Sequence, residues 1–418
     1  MYNNFDDKFE VKRQPGEFFD WSLFLITLLL VTIGLLSIYS ATYDAGMSNR
    51  FTQQLIYSIM GFTGIIVIMF IPERWLFDIS YPFYALIILL LIAALIFGHE
   101  VHGTKGWLEL GFITFQPAEF AKLSTLMALA RFLSSRGIDI HNLRDLIITV
   151  VIILLPAILI FRQPDHGTAS VFGALLLGIL FWSGFDLLIL FSIISLPIII
   201  IASQVSTAAF VTSISIFAII VGLMRKSLLK TAISITLVIG IGYSGNLLIN
   251  NLEKYQQTRI QTFLNPGADP LHSGYNVIQS ILAVGNGGLT GTGFMSGSQT
   301  QLKYIPAQWT DFIFSVPAEE FGFIGASMVI ILIILFLFRT VNIASETESS
   351  FYSIIAIGTG TIIFYHTLIN IGMAIGLIPV MGIPLPFLSS GGSALLINLA
   401  MVGLLMNSYR AHRRKKLV

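Results

Sequence analysis

Apolar runs close to the length of a bilayer recur along this chain from Leu23 to Met406. A helix needs ~20 apolar residues to cross a hydrocarbon core. In that layer every backbone N–H and C=O must find its partner inside the protein. Charged residues make up 11% of the chain, less than half the ~25% typical of soluble domains, and mean hydropathy is +0.84. A membrane barrel would instead show ~10-residue alternating segments, and the sequence has none. The chain therefore reads as an all-α polytopic membrane protein. Its first 20 residues carry Asp6, Asp7, Lys8, Glu10, Lys12 and Arg13, with no small-residue cleavage site after them, so no cleavable signal peptide is expected. Without cysteine there is no disulfide and no thiolate metal site. The net charge is +1, and no nucleic-acid partner is expected.

Hydropathy broken by Pro, Gly and charge predicts twelve spans, near 21–41, 53–71, 80–97, 117–133, 145–162, 168–183, 186–203, 208–224, 231–249, 317–338, 352–374 and 386–408. Residues 1–20 and 409–418 form tails, and 250–316 forms one long extracellular loop between the ninth and tenth spans. With the N-terminus inside, the cytoplasmic segments hold sixteen of the 23 Lys and Arg, among them Arg74, Arg131, Arg136, Arg144, Arg225, Lys226, Lys230, Arg339 and the tail "RAHRRKK". That bias follows the positive-inside rule and places both termini in the cytoplasm. Seven cations break the pattern and fall toward the outer face: Arg50, Lys105, Lys122, Arg162, Lys254, Arg259 and Lys303. The acids Glu109, Glu119, Asp165, Asp311, Glu319 and Glu320 fall there too.

Five stretches carry chemistry. In "FQPAEFAKL" Pro117 suits a first helical turn, which leaves Glu119 and Lys122 one turn inside at i, i+3 spacing. A mutually neutralising pair and a cation held for an anionic ligand both fit; ionisable groups within the membrane lean toward function. In "FRQPDHGTAS" Asp165 is suited to capping the next helix, whereas Arg162 defies the sidedness of the other cations. The long loop is rich in glycine, including Gly267, Gly285, Gly287, Gly288, Gly291 and Gly293. Glycine clusters can cradle phosphate, but no Gly-Lys-Ser/Thr ending supports a nucleotide site, and close packing on the membrane body is the simpler reading. Within it, "GYNVIQSILAVG" reads as an amphipathic interfacial helix. In "PAQWTDFIFSVPAEEFG" Asp311 follows Trp309 and Thr310 among side chains that favour the interface. A carboxylate in such partly dry surroundings is suited to general-base work. Pro317 would start or kink a helix with Glu319 and Glu320 in its first turn, where acids favour the helix dipole. Lastly, "GLIPVMGIPLPFLSSGGSALL" cannot be one regular span, and a broken segment at membrane depth must be buried or line a wet cavity. His366 and Asn370 share one helix face upstream of it and can face that cavity or bond a neighbouring helix.

Together, in this order, these stretches strongly resemble the SEDS family (shape, elongation, division and sporulation) over about residues 20–412. "TQLKYIP" and "TDFIFSVPAEEFGFIGA" look closer to its RodA branch than to FtsW. The resemblance implies a SEDS-type helical bundle of ten spans; the pair near 208–249, joined by "RKSLLK", reads as an insertion that leaves downstream sidedness unchanged. It further implies a peptidoglycan glycosyltransferase of the bacterial cytoplasmic (inner) membrane, polymerising lipid II at its outer face. The implied partners are a class B penicillin-binding transpeptidase and other elongation-complex membrane proteins. The family's essential aspartate falls on Asp311 and its acid–lysine pair on Glu119 and Lys122. Trp309 stands where His is common in RodA proteins, and Ser390 where Tyr usually precedes Gly391 and Gly392. Asp311 is then the expected base. Glu119, Lys122, Arg162, Asp165, Arg50, Arg259, Glu319, Glu320, Ser390 and Gly391 are the expected substrate-binding groups. The leaving diphosphate needs stabilisation, by these cations or by a divalent cation such as Mg or Mn. A lipid II flippase or transporter, or another lipid-carrier transferase related to O-antigen ligases, are the alternatives. A transporter should carry charge near mid-bilayer, whereas here the charges cluster toward one face.

Overall fold

The computed structural model describes residues 18–43, 48–101, 104–110, 113–224, 228–245, 249, 251, 254–265, 273–306 and 308–416. Lys8, Lys12, Arg13, Arg225, Lys226 and Gly267 lie outside them. The chain runs α1 Trp21–Thr42, α2 Ser48–Met69 and α3 Glu73–Phe97, then β1 His99–Val101, β2 Thr104–Leu110 and β3 Ile113–Phe115. It continues through α4 Pro117–Leu133, α5 Leu143–Phe161, α6 His166–Trp182, α7 Leu187–Val205, α8 Thr207–Leu223 and α9 Leu228–Tyr243. Short helices α10 Lys254–Leu264, α11 Ser273–Asn286, α12 Ser298–Gln301 and α13 Ser315–Glu320 precede the long α14 Gly322–Glu346, α15 Ser350–Ala374 and α16 Gly392–Lys416.

Among the described residues, eight helices are long and apolar enough to cross a membrane, and α6, α8 and α9 are shorter apolar helices. Large apolar side chains such as Ile59, Leu89, Ile158 and Phe338 face outward, which water would penalise and lipid would not. The protein is a multi-pass membrane protein. α4 is buried on nearly every face, with only Phe120 left partly open between Pro117 and Ala130. α15 and α16 are also largely enclosed, whereas α2, α3 and α7 present most of their surface outward. Around α4 the main core joins residues of α1–α6, α11 and α13–α16. α7, α8 and α9 instead pack on each other around Leu188, Ile199, Phe217, Val221 and Val238.

At the end bearing the basic tail, polar side chains finish the helices. Asn407 donates to Ile68 O and Ile71 O at 2.7 Å each, and Arg410 donates to Met69 O at 3.1 Å. These bonds bind carbonyls at and just beyond the C-terminus of α2, where intrahelical partners run out. Asp20 caps α1 through Leu23 N and pairs with Arg339 at 2.6 Å.

One sequence expectation needs correction and two others gain detail. The chain is not wholly helical: an antiparallel β1–β2–β3 sheet, with Leu108 opposite Phe115, joins α3 to α4. Its strands of three to seven residues are too short to give a period-2 signal. The loop 250–316 contains α10, α11 and α12, so much of it is helical. The span expected at 317–338 is split, because Gly322 adopts φ +64° between α13 and α14, and a Cβ there would lie 2.4 Å from Gly291 N. Glu319 and Glu320 therefore end a short helix instead of opening a long one.

Candidate active site

Residues 379–391 run between α15 and α16 without helix. Ile383, Leu385, Phe387, Leu388 and Ser389 are buried, and irregular backbone at such depth is stable only where protein satisfies it. Each flank supplies donors. Asn370 donates through Nδ2 to Ile383 O at 2.8 Å, and His366 Nδ1 lies 3.1 Å from Pro384 O. Ser389 Oγ accepts from Leu385 N at 2.7 Å, and Gln54 donates to Ser389 O at 3.2 Å while accepting from Gly391 N at 3.1 Å. Met381 O crosses the start of α6 so closely that a Cβ on Gly167 would meet it at 2.3 Å.

This segment fixes the backbone of Asp311. Three successive carbonyls are each held: Trp309 O by Ser390 N at 2.8 Å, Thr310 O by Ser389 Oγ at 2.6 Å, and Asp311 O by Asn370 Nδ2 at 2.8 Å. Asp311 itself stays half-exposed, as do Trp309 and Thr310. Its Oδ2 lies 3.7 Å from where a Cβ on Gly382 would stand, so the missing side chain leaves room beside the carboxylate. The result is an acid on a fixed backbone beside the gap that Gly382 leaves.

Several predicted cations gather at this end of the bundle. The Arg50 guanidinium lies 5.6 Å from the centre of the Trp309 ring, within cation–π range. Arg162 is exposed at the C-terminus of α5. Arg259 shares a cleft with Val277, Ile281, Ile378, Pro379 and Val380, at the near end of the irregular segment. Asp165 caps α6 by accepting from Thr168 N at 3.0 Å and also accepts from Gln116 at 3.3 Å, tying the starts of α4 and α6 together. Ser390 and Gly391 reach the site through backbone N–H groups that bind Trp309 O and Gln54.

Other predicted groups are sealed away from the opening. Lys122 is 1% exposed and pairs with Glu119 at 2.8 Å. Its ammonium also lies 3.3 Å from His366 Nε2. Glu319 accepts from Gln299 N at 2.8 Å, Thr300 N at 3.0 Å and Thr300 Oγ1 at 2.7 Å, which makes it the N-terminal anchor of α12. Glu320 accepts from Met295 N at 3.2 Å and from the hydroxyl of Ser40. Burial pushes its carboxyl above the usual range, against the lowering effect of these donors. Both glutamates thus clamp the glycine-rich loop. A Cβ on Gly287 would lie 1.9 Å from Ala318 O and one on Gly291 2.1 Å from Glu320 O, so close packing explains the glycines and backbone approach to a phosphate is not needed.

Among the described residues, no three His, Asp or Glu side chains converge to hold a metal. Sequence reasoning missed Gln54, Ser40, Gln116 and Gln308, whose side chains join the site's elements. The available signal was weak: a lone polar residue in or beside an apolar helix.

Comparison with known proteins matches this architecture. The model of the family described as FTSW_RODA_SPOVE, cell cycle protein, matches residues 20–211 and 196–414. Peptidoglycan glycosyltransferase RodA of Treponema pallidum is 33% identical, covering 93% of this chain and 97% of the relative. Peptidoglycan glycosyltransferase MrdB of Escherichia coli K12 is 34% identical, with 94% of both chains covered. Stage V sporulation protein E of Bacillus subtilis is 34% identical over 94% of this chain and 98% of its own. A chain from a peptidoglycan synthase complex, solved for its coordination of polymerization and crosslinking, superposes with a TM-score of 0.71 at 29% identity, covering 94% of this chain and 98% of that one. Crystalline RodA of Thermus thermophilus superposes at 0.63 and 25% identity, covering 94% and 97%. The five motifs, the helical order and the matches along nearly the whole chain agree: the protein belongs to the FtsW, RodA and SpoVE family.

Proposed function

We propose that this chain is a peptidoglycan glycosyltransferase that polymerises lipid II at the outer face of the bacterial cytoplasmic membrane, for cell elongation and shape. The observation that carries the reading is a half-exposed Asp311 whose peptide is held on three successive carbonyls. It is supported by two relatives named for this activity, which match nearly the full chain. A lipid-linked sugar requires an apolar groove for its tail and a wet mouth for its saccharides, and Asp311 stands where those two demands meet.

In this reading the Asp311 carboxylate takes the proton of the acceptor sugar hydroxyl. The hydroxyl oxygen forms a bond to the donor's anomeric carbon. The bond from that carbon to the diphosphate oxygen breaks, and the electron pair leaves with the lipid diphosphate. General-base catalysis of this kind contributes about 10²–10⁴-fold. Arg50, Arg162 and Arg259 lie at the same end and can offset the charge growing on the diphosphate. A divalent cation carried in by the diphosphate would supply similar neutralisation, and polymerisation measured with and without EDTA decides that point. The partner is a penicillin-binding transpeptidase that crosslinks the strands as they form, as expected from the likeness to a synthase complex. Both termini lie in the cytoplasm.

The test is polymerisation of purified lipid II, with and without a cognate transpeptidase. Asp311→Asn is expected to lose all measurable polymer while its thermal unfolding in detergent stays that of the parent. Polymer made at the parent rate by this variant would remove Asp311 from the chemistry. Lipid II crossing vesicle membranes without polymer would assign the chain to transport.

A further inference from the structure

Lys122 lies beneath the mouth, not in it. Its ammonium, which carries three N–H donors, forms an ion pair with Glu119 Oε2, 2.8 Å away, and lies within hydrogen-bond reach of His366 Nε2, 3.3 Å away. A lysine donating to Nε2 requires that nitrogen to carry the lone pair, so the proton of His366 sits on Nδ1 and is donated to Pro384 O at 3.1 Å. One turn further along α15, Asn370 donates to the neighbouring carbonyl, Ile383 O, and to Asp311 O, both at 2.8 Å. Residues four apart on a helix lie side by side, so these two side chains hold consecutive carbonyls of the irregular segment. An unbroken path runs from Glu119 through Lys122, His366, Pro384, Ile383 and Asn370 to the peptide of Asp311.

We propose that His366 is a positioning residue: with the Glu119–Lys122 pair it forms a buried strut that sets the irregular segment, and through it Asp311, while Lys122 itself does not touch the diphosphate. The proposal rests on the glycosyltransferase reading and deepens it. A cation meant to bind substrate would be left reachable, yet Lys122 is 1% exposed and already has two polar partners. The arrangement also explains why an ion pair is kept at such depth. Burying it confers little net stability, but its directional bond fixes the tautomer of His366.

The experiment is steady-state polymerisation of lipid II by the purified full-length protein with substitutions at His366. His366→Leu removes both bonds. His366→Asn keeps a donor near the Nδ1 position, facing Pro384, and His366→Gln keeps an acceptor near the Nε2 position, facing Lys122. Small misplacement of a catalytic group is costly. His366→Leu is therefore expected to lower kcat by about tenfold or more while the KM for lipid II stays within about twofold. His366→Asn is expected to recover more of kcat than His366→Gln, because it restores the link toward Asp311. A KM raised about tenfold at unchanged kcat would place the Lys122–His366 pair against the substrate and overturn the proposal. No change in either constant would make His366 mere packing and overturn it as well. Should His366→Leu not fold, the order of the other two decides: Gln above Asn overturns the strut. Asp311→Asn, assayed alongside, fails or holds independently and so tests the underlying reading separately.

Discussion

α4 and α8 are both seventeen residues long, and they enclose opposite things. α4 buries Glu119, Lys122, Ser124 and Thr125 among its apolar residues, whereas α8 buries Phe217 and Val221. The same contrast holds for the groups around them. α4, α15 and α16 surround an irregular segment whose polar backbone is met by Gln54, His366, Asn370 and Ser389. α7, α8 and α9 share a small apolar cluster, and their pairing of Lys230 with Asp186 at 3.3 Å leaves the lysine largely exposed. Buried polar networks are costly unless fully satisfied, so a protein keeps them where geometry must be fixed. The centre holds a site in place, and the satellite needs only to pack in lipid.

The largest test of that contrast, after Asp311→Asn, is Glu319→Ala. It strands the N–H groups of Gln299 and Thr300 at α12, the second of them buried, and should cost on the order of 3 kcal/mol. The readout is a lowered unfolding temperature in detergent, with new proteolytic nicking near residues 295–303. Unchanged protection there would mean that the loop is held by something other than its clamp.

A smaller effect is expected from Glu320, whose carboxyl lies just before the membrane-crossing α14. Burial raises its folded-state pKa above the ordinary value of 4.5. The stability it contributes is thus complete below that ordinary value and is lost as pH rises through the raised one. Glu320→Gln, which stays neutral, should unfold at a higher temperature than the parent near pH 8, with the gap closing toward about pH 5. A gap that widens toward acid would reverse the sign and refute the account.

The smallest effect should come from the satellite. Residues in separate packing clusters act nearly independently. A variant lacking α8 and α9, closed by a short flexible linker, should therefore polymerise lipid II within about threefold of the parent rate. Removing an even pair leaves every later helix in its original direction. Loss of polymerisation in a folded variant would show that the two regions are coupled.

Much of this was legible in order. Apolar runs place the helices, and the basic residues predict their direction, because each depends on local composition alone. The clustering of Asp311, Asp165, Arg162 and Arg259 at one end follows from that direction. The irregular segment is legible from Pro379, Pro384 and Pro386 with Gly391 and Gly392, since no helix accepts that spacing. The glutamates were harder. Pro317 as a helix start assigns Glu319 and Glu320 to a first turn, but Gly322 breaks the chain there because the glycine-rich loop, more than twenty residues earlier, must pass within contact distance.

Composition and pattern alone establish that this chain crosses a membrane many times, and they single out Asp311 as the candidate base. Only the tertiary structure decided which charges are open and which are sealed. Spacing puts Glu119 beside Lys122 whether they face substrate or core. Folding brings His366 against Lys122 from more than two hundred residues away, with the carbonyl of Pro384 on the far side of the imidazole. The physical reason is that propensity and hydropathy are local properties, whereas the desolvation of a charge depends on every segment packed around it.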